Sequence, residues 1–427
     1  METLRYGARG SGVRLMQLAL KRAGSYKGEI DGVFGTRTLN SVRRFQSAAG
    51  LTPDGAYGIK TRMEAEPYLI GSAIHKLKPG DTFYRLGKSF GISADDIALA
   101  NPGLDPADLT IGKTIVLPLV KSVVPTDIPY SSELMKYVSE GLTLRYPLIK
   151  TETIGFSEEG NPLYLFKAGS GKAKVFINAA HHANEWITAP LILDLLETLA
   201  KAYASKTTVC GRNASALLSG VTLYAVPMVD PDGVDIVNGA AGKSAFAKAL
   251  AIAENYPDIP FPSGWKANAE GTDLNLNYPA GWEEAKRIKY SEGYSSPAPR
   301  DYVGPAPLSA AGSRALYELS EANDFSLTIS YHTQGGEIYW KYGDIEPEGS
   351  ARIAARMAEA SGYRAADVPY ESGFAGYKDW FIDRFRRPGF TVEAGYGTNP
   401  LPLSQYDTIR ADNFPLIVTA MEAAADK

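Results

Sequence analysis

Four apolar runs beyond residue 130 constrain the fold most: "KVFINAA" (174–180), "VTLYAVPMV" (221–229), "FSLTISYHT" (325–333) and "GFTVEAG" (389–395). They are rich in Val, Ile and Phe and too short to be independent helices. Segments of helical periodicity surround them: Ser132–Tyr146, Thr188–Lys206, Ser309–Asn323, Gly349–Gly362 and Asp412–Ala425. Apolar strands bounded by helices predict an α/β fold with a largely buried sheet.

A chain of 427 residues is long for one core, so two or more domains are expected. With 44% hydrophobic and 22% charged residues, the composition is that of a soluble globular protein rather than a disordered one. The net charge of -4 points neither to nucleic acid nor to a membrane surface. It is unevenly spread: residues 1–72 carry 11 Lys and Arg against 6 Asp and Glu, whereas residues 121–427 carry 28 against 37. A basic front on an acidic body predicts different partners for the two parts, with ordinary surface variation as the alternative. Cys210 is the single cysteine, which excludes an intramolecular disulfide and a cysteine-built metal site. No run reaches the roughly 18–20 apolar residues of a membrane span. The start, "METLRYGARGSG", lacks a signal peptide's apolar core. The chain is therefore expected to stay inside, to leave by another route, or to follow a removed leader.

Three blocks precede or contain the chemistry. In residues 1–72, "VRLMQLALKRAG" and "TRTLNSVRRFQSAAG" carry apolar residues at helical spacing, with Thr36 or Thr38 as the cap of the second helix. An Asp-Gly-x-x-Gly turn occurs twice, at Asp31 and Asp54, as in a small bundle of short helices. Asp31-Gly32-x-Phe34-Gly35, followed by Phe45-Gln46 and Gly50-Leu51, resembles the helical peptidoglycan-binding module of cell-wall hydrolases. In residues 73–120 a short strand, a Lys-Pro-Gly-Asp turn, two short helices (Thr82 capping the first) and the strand "TIVLPL" give a β-α-α-β order. With Gly80-Asp81-Thr82, Asn101-Pro102 and Ile111-Gly112, this order resembles a LysM domain, which implies binding to N-acetylglucosamine chains. His75 belongs to its first strand and reads as structural. A Pro-containing linker, residues 121–130, leads to the third block, 131–427.

Active groups in α/β sheets gather where strands end. "NAAHHANEW" puts His182 and Glu185 just beyond one strand, and His332, the third block's only other histidine besides His181, closes another run. Two imidazoles and a carboxylate with an open fourth position describe catalytic zinc. His181 competes with His182 for that role. Read singly, each residue has a bland alternative: a hydrogen-bonded structural histidine, or a glutamate capping a helix.

His182-Ala183-Asn184-Glu185, Ser330-Tyr331-His332 and "FTVEAG", in that order, resemble the zinc carboxypeptidase family over most of 130–427. The resemblance implies a mixed sheet flanked by helices, one zinc per chain held by His182, Glu185 and His332, and Glu393 as the general base acting on a water at the zinc. It also implies that Asp273 orients the first zinc histidine and that Asn275 binds substrate. As an extended strand, "DLNLN" would set Asp273, Asn275 and Asn277 on one side. Lys266 is the nearest match to the family's oxyanion-stabilising cation, with a plain surface lysine as the alternative. Tyr370 matches the mobile-loop tyrosine that closes over substrate; Tyr377 is the rival. Glu393 could instead pair with Arg384, Arg386 or Arg387.

One departure bears on substrate. Where the family has an Arg that grips a terminal carboxylate, this chain has Leu276, which cannot form a charge-assisted pair. Together with the two wall-binding modules, this resembles the subgroup that cleaves the γ-D-glutamyl-meso-diaminopimelate bond of peptidoglycan stem peptides. The expected partners are glycan chains and stem peptides, without nucleic acid or a membrane span; Arg300 is among the candidates for the diaminopimelate carboxylate. The expected location is the cell wall or outside the cell, with the cytoplasm as an alternative. Two other functions remain open: a metallocarboxypeptidase trimming α-peptides, and a peptidoglycan-binding protein without catalysis.

Overall fold

The computed structural model describes residues 3–426; Met1 and Glu2, which open the segment read for a leader, and Lys427 lie outside them. By contacts the chain forms two units, one running to Ile128 and including Glu133–Pro147, the other comprising Pro129–Ser132 and the chain from Leu148 onward.

The first unit begins with α1 (Ser11–Arg22), α2 (Thr36–Ala48) and α3 (Ile59–Ile70). Its polar interior holds one device used twice. Gln17 donates to Asp31 Oδ1 (2.8 Å), the Val33 carbonyl (3.2 Å) and Thr38 Oγ1 (3.1 Å), while its Oε1 accepts from Gly32 N (2.9 Å). Gln46 repeats this with Asp54 (2.8 Å), the Ala56 carbonyl (2.9 Å), Thr61 (3.1 Å) and Gly55 N (2.9 Å). Each knot ties an Asp-Gly turn to the following helix, so every polar atom of a buried amide is used. Thr38 therefore belongs to a knot rather than a cap. The α2 cap position is Gly35, and no side chain caps it.

Strand β1 (Ser72–Lys76) pairs antiparallel with β2 (Thr114–Pro118), and α4 (Phe83–Phe90) and α5 (Ala94–Ala100) lie between them in sequence. Thr82 caps α4 by accepting from Arg85 N, as expected. Leu77, Phe83, Leu86, Ile97, Ile115 and Leu117 form the buried core. His75 Nε2 donates to Asp81 Oδ2 at 2.8 Å, a structural role as expected. Helix α6 (Ser132–Arg145), expected in the peptidase block, packs on this unit. Gly141 permits the approach, since a Cβ there would lie 2.1 Å from the Ile70 carbonyl oxygen. Arg145 then binds the carbonyls of Gly71 and Val120.

The second unit runs β3 (Lys150–Phe156), β4 (Pro162–Gly169), β5 (Ala173–Ala179), α7 (Thr188–Ser205), the minimal hairpin β6 (Thr208–Val209) and β7 (Arg212–Asn213), α8 (Ala214–Gly220) and β8 (Val221–Val226). It continues through α9 (Pro231–Val237), α10 (Lys243–Ala253), α11 (Trp282–Ser291), α12 (Ala311–Glu321), β9 (Leu327–His332), β10 (Glu337–Tyr339), α13 (Ser350–Ser361), β11 (Arg364–Ala366), α14 (Tyr377–Phe385), β12 (Gly389–Glu393) and α15 (Tyr406–Ala425). The sheet has eight strands in the order β11-β10-β12-β9-β5-β8-β4-β3. Its centre, β12-β9-β5-β8, is parallel, whereas β4 and β3 attach antiparallel. The four apolar runs are these central strands, and β9 is buried at every residue, as parallel strands covered on both faces must be. Three adjacent parallel strands, β5, β9 and β12, therefore end at the same edge. Register places Glu393, the last residue of β12, opposite His332, the last of β9.

Candidate active site

At the end of β5 the backbone turns through Ala180, a non-glycine residue at φ 50. The turn is held because Ala180 N donates to Thr188 Oγ1 (3.1 Å) and its carbonyl accepts from Asp230 N (3.0 Å). Such a conformation persists only where its surroundings enforce it. Beyond it the two adjacent histidines part. His181 is fully buried, bonded through Nε2 to Tyr278 Oη (3.0 Å). His182 faces the strand ends, and the 3₁₀ turn Ala183–Glu185 folds the carboxylate back to it.

Glu185 Oε1 lies 3.0 Å from His182 Nδ1, Glu185 Oε2 lies 2.9 Å from His332 Nδ1, and the two Nδ1 atoms are 3.2 Å apart. Among the described residues this is the one group of three or more His, Cys, Asp or Glu whose ligand atoms all lie within 4.8 Å of one another. A pair of ring nitrogens facing each other over a carboxylate leaves at least one lone pair aimed at a lone pair or a proton at a proton. A cation between them removes the conflict. Bonds of about 2.0–2.1 Å at tetrahedral angles separate ligand atoms by about 3.3 Å, close to what is found here. The donor set fits zinc.

The surroundings fix these groups. His182 Nε2 meets Asp273 Oδ1 at 3.1 Å, and Asp273 also accepts from Asn275 N (3.1 Å) and Asp301 N (3.3 Å). A carboxylate behind a metal-facing imidazole sets its tautomer and orientation. Glu185 further accepts from Lys266 Nζ (3.1 Å), Asn399 Nδ2 (3.3 Å) and Thr333 N (3.3 Å). Burial works against the charge of His182, but the Glu185 and Asp273 carboxylates outweigh it and carry the imidazole up to about 9. Burial likewise opposes ionisation of Glu185 and Asp273, yet His182 and Lys266 hold both well below the carboxylate range. Burial lowers His332. Glu393 is pushed up to about 8, first by burial and then by the Glu185 carboxylate.

The cleft beside this cluster has two lobes that share His182, Lys266, Arg300, Tyr339 and Glu393. One contains Asn275, Leu276, Lys378 and Asp379; the other contains Asn184, Asp258, Gln334 and Asn399. Lys266 is thus no plain surface lysine, and the arginines proposed to pair with Glu393 are engaged elsewhere: Arg384 with Glu321, Arg386 with Asp383 and Arg387 with Asp324. The segment "DLNLN" is a 3₁₀ turn rather than a strand, because Asp273 caps it through Asn275 N. Asn275 faces the cleft while Asn277 is buried and bound to the Val303 and Ala306 carbonyls. Tyr377 is a core residue. Tyr370 is exposed and donates to Glu284 (2.8 Å), so the ring stands apart from the cluster although its neighbours Val368, Pro369 and Ser372 line the cleft. Sequence reading missed Thr333, Asn399, Lys378 and Asp379. Adjacency to His332 pointed to Thr333; nothing in the sequence marks the others.

The zinc carboxypeptidase family model matches residues 135–415, the peptidoglycan binding domain model residues 9–63 and the LysM domain model residues 75–118. The chain belongs to the zinc carboxypeptidase family. It is 40% identical over 281 residues to gamma-D-glutamyl-L-diamino acid endopeptidase 1 of Lysinibacillus sphaericus, covering 66% of this chain and 69% of that one. It is 24% identical over 264 residues to human carboxypeptidase B, covering 58% of each. Its fold matches that of bovine thrombin-activatable fibrinolysis inhibitor with a TM-score of 0.54 at 20% identity, over 70% of this chain and 99% of that one. The chain is accordingly a zinc-family peptidase carrying peptidoglycan-binding and LysM domains, which indicate peptidoglycan binding and suggest association with the cell wall. Among the described residues no helix is long and apolar enough to cross a membrane.

Proposed function

We propose that the chain hydrolyses the γ-D-glutamyl-meso-diaminopimelate amide of peptidoglycan stem peptides. One zinc would be held by His182, Glu185 and His332. The observation that carries this is the convergence of these three residues at the strand edge where Glu393 also ends. Zinc at such a site supplies Lewis acidity to a carbonyl and makes water a stronger acid.

The chain's own residues do the rest. Asp273 holds His182 in register. Glu393, disfavoured as a free carboxylate by its surroundings, is a strong enough base to take a proton from water and return it to the leaving nitrogen. The Lys266 ammonium, at the junction of the two lobes, is the cation for the developing oxyanion, and Asn275 offers an amide to the bound peptide. Tyr370 joins them only if its loop carries it over the cleft. Leu276 lies in the lobe where a terminal-carboxylate clamp would be needed, which favours this reading over trimming of α-peptides. The relative from Lysinibacillus sphaericus, by its name an endopeptidase for γ-D-glutamyl-diamino acid bonds, supports it as well.

The test is incubation with L-Ala-γ-D-Glu-meso-diaminopimelate. Zinc-dependent release of L-Ala-D-Glu is the expected result. Intact peptide at neutral pH with zinc bound would refute it.

A further inference from the structure

One cation of the cleft has no part in the proposed chemistry. Arg300 lines both lobes, so it stands at their junction with His182, Lys266 and Glu393. The backbone on either side of it is pinned to the segments that carry the site. The Pro299 carbonyl accepts from Lys266 N (2.7 Å) and Ala267 N (3.1 Å). Asp301 N donates to Asp273 Oδ2 (3.3 Å), and the Tyr302 carbonyl accepts from Asp273 N (2.8 Å). Asp301 itself stands at φ 64, a conformation that Asp tolerates better than most residues. Its Oδ2 accepts from Arg300 Nε (2.5 Å), while Oδ1 lies 3.4 Å from Lys289 Nζ. A guanidinium held by Nε presents its two terminal nitrogens as a planar fork of N–H groups. Among the described residues no hydrogen bond engages that end of Arg300, and the side chain is 42% exposed.

A fork mounted this firmly, with its end open to the cleft, suits a carboxylate. The lobes differ in what else they offer. The lobe with Asn275 and Leu276, on the side of the departing amine, also contains Lys289 and Lys378. The other, on the acyl side, contains Glu185, Asp258 and Glu393; apart from His182 and Lys266 at the ligand cluster, Arg300 is its one cation among the described residues. A γ-linked glutamyl residue keeps its α-carboxylate free, a short carbon chain away from the scissile carbonyl. In the acyl lobe that carboxylate would meet groups of its own sign, and like charges brought together oppose binding. We propose that Arg300 reads the free α-carboxylate of the D-glutamyl residue, so that stems amidated at that position are poor substrates; this rests on the function proposed above. The fork pairs with both carboxylate oxygens, whereas a carboxamide offers one acceptor oxygen and turns an NH₂ donor against the second arm. The diamino acid's carboxylate, for which the sequence made Arg300 a candidate, lies across the scissile bond, where other cations line the wall.

The test compares L-Ala-γ-D-Glu-meso-diaminopimelate with the same peptide carrying an α-carboxamide on its D-glutamyl residue, using the zinc-loaded full chain. Wild type should favour the acid by about tenfold in kcat/KM, the low end for a hydrogen-bonded charge because the arginine is partly exposed. In Arg300→Met the ratio should fall to within about threefold, through a higher KM for the acid. Zinc content and melting temperature should match wild type, which separates this role from a structural one. Arg300→Lys, a charge without a fork, should keep a reduced preference. The acyl product L-Ala-D-Glu should also inhibit wild type more strongly than L-Ala-D-isoglutamine, a comparison that needs no variant. Equal cleavage or equal inhibition in wild type overturns the proposal, as does an unchanged ratio in the folded, zinc-bearing Arg300→Met chain. Cleavage of neither peptide by wild type means that the proposed function has failed, and this assignment falls with it.

Discussion

Glu393 illustrates how position rather than residue type sets chemistry. The same carboxylate at the surface would be ionised throughout the physiological range; here burial and Glu185 push it up to about 8 in the metal-free chain. A folded-state value above the unfolded one means that the native protein holds more protons between pH 4.5 and 8, so its stability declines as pH rises through that window. Metal-free Glu393→Gln should therefore melt above wild type at pH 8 to 9, with the difference vanishing near pH 4.5, as followed by calorimetry. With zinc present the same variant should lose kcat by about 10²–10⁴-fold while still binding metal. A wild-type and variant pair with parallel melting curves across that window would show that the carboxylate is not perturbed. Much of this site was legible in the sequence, because His182, Glu185, His332 and Glu393 each follow or end a recognisable strand. What stayed hidden was set by side-chain direction. The two adjacent histidines differ only in which way Ala180 turns them, and Asn399 and Asp379 reach the cleft from loops and helix starts without periodicity.

At the scale of elements, the apolar pattern located the four central strands and the long helices but not the sheet's margins. Strand β3, "KTETIGF", is polar and mostly exposed, and β10 and β11 have three residues each, so none has a pattern to detect. Helix α15 begins at Tyr406, before the expected Asp412, and runs through Pro415, whose missing N–H costs one bond in a half-buried helix. "DLNLN" alternates like a strand, yet a single Asp273 side-chain bond to the backbone turns it into a 3₁₀ cap. Close backbone contacts matter more than alternation where elements meet. Between β4 and β5, a Cβ on Gly171 would lie 1.9 Å from the Gly220 carbonyl carbon at the entry to β8. Gly171→Ala should destabilise the chain by about 1–3 kcal/mol, the cost of overpacking a tight contact. The expected signature is a lower urea midpoint with unchanged zinc content; an unchanged midpoint would mean the backbone yields freely there.

Across the whole molecule, peptidoglycan-binding modules and the peptidase unit share a chain, and the proposed consequence is tethering. Binding to an insoluble substrate raises the effective concentration of its scissile bonds without altering the chemistry. Soluble N-acetylglucosamine oligomers should then slow release from intact sacculi severalfold while leaving hydrolysis of the free tripeptide unchanged, both read by chromatography of released peptides. Equal effects on the two substrates would rule tethering out.

The twin knots around Gln17 and Gln46 have a consequence of another kind. Each helix-turn segment carries its own fastening, made from a glutamine behind it, an Asp-Gly corner and a threonine one turn ahead. Loss of either glutamine would undo one joint and leave the other fastened, while Arg22, bound to the Tyr68 and Leu69 carbonyls, still ties the first helix to the third.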